Sequence, residues 1–118
     1  MSEFVKIHEE NQVWYIYLQK NMYFDLKDIN SVWLEIYEQI PRVDQAKIVL
    51  NFEIVDTFSS LFIGKLVAFH KKIATSKGHL VLCNLKNRLL ELFEVTKMNK
   101  VFILKETLHD ANHYLKSL

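Results

Sequence analysis

Residues 46–52, Ala-Lys-Ile-Val-Leu-Asn-Phe, form a nearly continuous apolar run that is too short for a packed helix. Such a run suits a strand buried on both faces, the setting of a central strand in a parallel sheet. Leu80-Val81-Leu82-Cys83 repeats the pattern. Parallel strands need a crossover between them, and the intervening residues offer one. From Leu61 onward the apolar spacing becomes helical, with Ile63, Leu66, Val67, His70 and Ile73 sharing a face. Gly78 is placed to end that helix in a left-handed conformation.

The N-terminal residues read as two strands. Phe4 to His8 alternates in polarity, Glu9 to Gln12 is polar, and Val13 to Leu18 is rich in β-branched and aromatic residues. A hairpin is expected. Gln19 to Asp25 reads as a loop, with Asp25 or Asp28 capping the helix that follows. Ile29, Val32, Trp33, Ile36, Tyr37 and Ile40 line one face of that helix, and Pro41 is the expected stop. Arg88 to Val95 reads as a short helix with Leu89, Leu92 and Phe93 inward, and Lys100 to Leu104 as the last strand. Leu108, Ala111, Leu115 and Leu118 line a closing helix. Strands first and strict strand–helix alternation afterwards give an α/β fold. No linker or repeat is visible, so residues 1–118 are expected to form one domain. Its sheet should be mixed and mostly parallel, with about five strands and about four helices.

Charge narrows the function. Fifteen basic and 14 acidic side chains leave a net charge of +1, unlike a dedicated nucleic-acid binder. Cys83 is the lone cysteine and sits in an apolar run, so it reads as a buried, inert thiol. No signal-peptide layout opens the sequence, and no run approaches the roughly 20 residues of a membrane span. A cytoplasmic protein with no membrane association is the expectation. Its two glycines, Gly64 and Gly78, build no phosphate-cradling loop. His109 and His113 share a helical face but have no evident third ligand, and Glu91 and Glu94 read as a solvated face. No metal, cofactor or catalytic pair is therefore expected, and the chain reads as a non-enzyme.

Two strings carry a family resemblance. Ile48-Val49-Leu50-Asn51-Phe52 leads into Phe58-Ser59-Ser60-Leu61-Phe62-Ile63-Gly64-Lys65-Leu66. Leu80-Val81-Leu82-Cys83-Asn84-Leu85 is followed by Leu89-Leu90-Glu91-Leu92-Phe93, by Val101-Phe102-Ile103 and by Leu108-His109-Asp110-Ala111. Together they resemble a STAS domain of the anti-sigma factor antagonist kind. The resemblance implies a protein-binding switch, with an anti-sigma factor or serine kinase and a cognate phosphatase as partners, and a homo-oligomer as a further form. It places Ser60 at the phosphorylatable serine, with Ser59 as the alternative. It also places Gly64 at the second family glycine, where helix and sheet come close. Ser59 stands where the family has Asp, Phe62 where it has its first glycine, and Asn51 where it has a strand-end Asp.

The residues allow two readings of the Ser59–Ser60 pair. One hydroxyl simply caps the helix that follows, or the pair is a switch, because a helix N-terminus tolerates the roughly −1.5 to −2 charges of a phosphoserine. The expected partner surface is Ser59, Ser60 and Phe62 with the loop Asn21, Met22, Tyr23 and Phe24. That loop is unusually apolar, and either meets a partner or tucks under the first helix. An unphosphorylated scaffold module of the same fold, as in a stressosome-like assembly, is the alternative function.

Overall fold

In the computed structural model, which describes residues 3–40 and 44–118, strands β1 (Val5–Glu10) and β2 (Val13–Leu18) form the expected hairpin. Asn11 and Gln12 join them with φ of 53° and 67°, both left-handed, as a two-residue turn matched to strand twist requires. Helix α1 spans Leu26–Gln39, and Asp25 caps it by accepting a hydrogen bond from the Lys27 N–H at 3.1 Å. The stop expected at Pro41 lies outside the described residues. Strand β4 (Lys47–Asn51), helix α2 (Ser60–Thr75), strand β6 (His79–Cys83) and helix α3 (Asn87–Val95) follow. A two-residue strand β3 (Met22–Tyr23) interrupts the expected loop and pairs with another, β5 (Thr57–Phe58). Strand β7 (Ile103–Lys105) and helix α4 (Leu108–Lys116) complete the order.

The main sheet has the order β1-β2-β4-β6-β7. Only the β1–β2 pair is antiparallel; Trp14 sits opposite Ile48, and Ile48 opposite Leu80, in a parallel register. The expected mixed, mostly parallel sheet with four α-helices is present among the described residues. One face packs on α1, α2 and α3 through Ile16, Ile48, Leu50 and Leu82, and the other packs Val49, Val81 and Cys83 under α4. Burial of β4 on both faces explains its unbroken apolar run.

Five local expectations are corrected. The buried stripe of α2 is Phe62, Leu66, Phe69 and Ile73, while Ile63, Val67 and His70 lie at its margin. Apolar residues on adjacent flanks made two stripes possible, and the one with two phenyl rings buries more area. The last strand begins at Ile103, because Met98–Lys100 makes a 3₁₀ turn that delivers buried Phe102 to the core. Leu118 lies past the end of α4 and is exposed. The left-handed residue at the end of α2 is Lys77, φ 61°, not Gly78. Gly78 is needed for space: a Cβ there would sit 2.7 Å from the Ala46 carbonyl oxygen and 2.9 Å from Ile73 Cγ2. A Cβ on Gly64 would meet nothing within 4 Å, so no close helix–sheet approach occurs there.

Candidate functional site

The loops leaving β2 and β4 at their carboxyl ends carry the residues singled out above. They are laced together by backbone bonds. The Asn21 carbonyl accepts from the N–H groups of Asp56 and Thr57 at 2.8 and 3.3 Å, and the Tyr23 carbonyl accepts from Ser59 N–H at 3.0 Å. Met22 pairs with Thr57 and Tyr23 with Phe58. This small ladder fixes the entry to α2, so Ser59 and Ser60 are held by the sheet rather than by a free loop.

Tyr23 pins the ladder from below. Its hydroxyl donates to the Phe4 carbonyl at 2.7 Å and accepts from Lys20 N–H at 3.0 Å. Burial pushes its phenol up to about 12, so it remains a neutral donor. Next to it lies an aromatic cluster whose hub is Phe62. That ring centre is 4.9 Å from Phe58, 5.2 Å from Tyr23 and 5.8 Å from Trp33.

Both Phe62 and Tyr23 are fully buried, which corrects their assignment to a partner surface. The first residues of a helix point different side chains in and out, and Phe62, two places after Ser60, falls on the inward side. The spacing 62, 66, 69 and 73, a period-3.6 stripe, was the available signal. Met22 and Phe24 flank Tyr23 in an extended stretch and face out, at 49% and 52% exposure. Asn21 is exposed at its side chain and structural at its carbonyl.

The two serines have different fates. Ser59 occupies the N-cap position of α2, and its carbonyl accepts from Phe62 N–H at 3.1 Å. Its hydroxyl oxygen, however, is enclosed and makes no hydrogen bond, so the expected side-chain cap does not form. Ser60 is the first helical residue and is exposed, with no acidic residue in the first turn of α2. No side chain of that turn carries a negative charge to repel an anion, and the N–H groups of a helix's first turn favour one.

The rim is polar on one side and apolar on the other. Asp56 and Lys86 form an ion pair at 2.6 Å, and this hydrogen bond from Lys86 holds the Asp56 carboxyl below its usual range. Asn51 Oδ1 accepts from Glu53 N–H at 2.9 Å and from Asn84 Nδ2 at 3.2 Å, joining the ends of β4 and β6. Asn51 is buried, and these two bonds satisfy its side-chain oxygen. Beside β5 a groove of about 330 Å³ opens between Phe58 and the α3 residues Arg88, Leu92 and Val95. Sequence reading missed this groove, because it needs the pairing of β5 and the docking of α3 together.

The remaining candidates lie elsewhere. His109 and His113 are exposed on α4. His70 is half-buried with its ring 5.1 Å from Phe102, and burial lowers its pKa. Cys83 is buried, with its thiol pushed up to about 12 by burial. No helix among the described residues is long and apolar enough to cross a membrane.

Comparison with known proteins places this arrangement. The family model of the STAS domain matches residues 6–111. An anti-sigma factor antagonist from Mycobacterium paratuberculosis superposes with a TM-score of 0.80 at 17% identity, covering 95% of this chain and 92% of the other. An anti-sigma-factor antagonist (STAS) domain protein from Planctomyces limnophilus gives 0.76 at 21% identity over 94% and 96% of the two chains. The anti-sigma factor antagonist SpoIIAA in its unphosphorylated form gives 0.67 at 14% identity over 97% and 99%. A sequence search of curated proteins finds no match.

Proposed function

The chain belongs to the STAS domain family, and on that footing we propose that it is a cytoplasmic regulatory module that binds another protein at the Ser60 end of its sheet. The observation that carries this reading is the rim itself: exposed Met22, Phe24, Ile54 and Leu61 lie on the same loops and helix start as exposed Ser60, and a backbone ladder ties those segments together. Exposed apolar side chains on a rigid support are the usual anchors of a protein interface. The partner proposed is an anti-sigma factor, by analogy with the names carried by two structural neighbours, or the serine kinase that the family resemblance implies. A scaffold role within a larger assembly uses the same rim without any modification.

A switch at Ser60 is the second reading, and one asymmetry favours it. Ser60 presents its hydroxyl to solvent at a helix N-terminus, whereas the Ser59 hydroxyl is shut in. A phosphate on Ser60 leaves the fold intact, because the helix end accommodates the charge. An apolar partner surface facing it loses affinity, because it must desolvate a dianion.

Two experiments separate these readings. Light scattering on the purified chain gives a large assembly for the scaffold and a monomer or dimer for the switch. Intact-mass analysis with peptide mapping, on protein purified from its own cells, gives phosphate on Ser60 for the switch. Phosphate on neither serine under all growth conditions removes the switch and leaves the binding module.

A further inference from the structure

At the opposite end of the sheet, where β4 begins, the β1–β2 turn and α4 enclose a cavity of about 230 Å³. Its floor is apolar, from Val13, the Tyr15 ring and Leu115. Its polar groups are mostly cationic or amide donors. Lys47 enters from the first position of β4 and Lys116 from the last turn of α4, and Glu10 is the only acidic group in the lining. Lys47 is half-buried, and among the described residues neither lysine forms an ion pair. Two ammonium groups with no carboxylate paired to them favour an incoming anion.

Asn112 adds direction. The Tyr15 hydroxyl donates to its Oδ1 at 2.7 Å, which fixes the amide so that its Nδ2 donors are the free end. Burial first, then the Glu10 carboxylate, raises the Tyr15 pKa, so the hydroxyl keeps its proton and the amide stays oriented. One face of the cavity thus offers two ammonium groups and an oriented amide N–H pair over an apolar floor.

We propose that this cavity is a binding site for a small oxyanion, carboxylate or phosphate, carried on a compact apolar body such as a single ring. The oxyanion sits between Lys47, Lys116 and Asn112 Nδ2, and the apolar body lies on Val13 and Leu115. The site is separate from the Ser60 rim: the parallel strands run from one to the other. Its occupation stabilises the native state by mass action.

The test is a titration of the ¹⁵N-labelled full chain, followed by amide chemical shifts, with phenyl phosphate, benzoate and neutral benzyl alcohol as probes. Saturable shifts at Val13, Lys47, Asn112 and Lys116 are expected with at least one anion, and the tighter of the two identifies the preferred headgroup. Lys47→Ala/Lys116→Ala should weaken that binding by about tenfold or more, the loss of about 1.4 kcal/mol. Both lysines are surface-reaching, so the unchanged remainder of the spectrum reports that the variant is folded. The proposal is overturned by no saturation with either anion up to about 10 mM, a very weak limit. Equal binding of benzyl alcohol, or unchanged affinity in the double variant, overturns it as well.

Discussion

Replacing Phe62 tests how the functional end is built. The ring is fully buried and lies within 4.9 to 6.4 Å, centre to centre, of Phe58, Tyr23, Trp33 and Phe52. Truncation to alanine in such a place costs about 3–5 kcal/mol, by lost transfer energy and by the cavity left behind. A domain of this size has only about 5–15 kcal/mol to lose, so Phe62→Leu is the measurable version, at about 1–2 kcal/mol. With a urea slope of about 2 kcal/mol/M, the unfolding midpoint falls by roughly 0.5–1 M. Ile63 supplies the control. It is half-buried at the margin of the stripe, so Ile63→Val should cost no more than about 0.5 kcal/mol. The rival packing, with Ile63, Val67 and His70 inward, reverses this order. A Phe62→Leu protein with an unchanged midpoint, beside an Ile63→Val protein destabilised by more than about 1 kcal/mol, refutes the α2 orientation and the burial of Phe62 with it.

The two glycines should respond oppositely to alanine. Gly78→Ala puts a methyl 2.7 Å from the Ala46 carbonyl oxygen and should lower the unfolding free energy, read from the denaturation curve, by about 1–3 kcal/mol, whereas Gly64→Ala, in an open helix position, should raise it by about 0.5–1 kcal/mol. His70 should titrate below its ordinary 6.5 by NMR, because burial lowers its pKa. A base with a depressed folded pKa contributes stability that is complete above about pH 6.5 and is lost as pH falls through the folded value, so His70→Gln should flatten the acid limb of the stability profile.

The strands of the parallel core were legible because burial on both faces writes an unbroken apolar run, as in Ile48 to Leu50 and Leu80 to Cys83. The helices were legible by period, but α2 was turned because Leu61-Phe62-Ile63 and Val67-Ala68-Phe69 offer apolar residues on neighbouring flanks. Strands β3 and β5 were invisible, since two residues carry no period and their pairing is a long-range event. At the candidate site the sequence marked Ser59 and Ser60 together; only packing separates an enclosed hydroxyl from an open one. Met22-Tyr23-Phe24 was marked as an apolar loop, and the fold resolves the alternatives by position: Tyr23 goes under, and its two neighbours go out.

The Ser60 end of the sheet is the proposed docking surface. Affinity capture from the protein's own cells should compare the native chain with Phe24→Asp, Ser60→Asp and His113→Ala, the last lying on exposed α4. Capture of the same partner by native and His113→Ala protein, and its loss by about tenfold or more with Phe24→Asp and Ser60→Asp, is the predicted result. A partner held equally by all four proteins, or lost only with His113→Ala, contradicts the assignment.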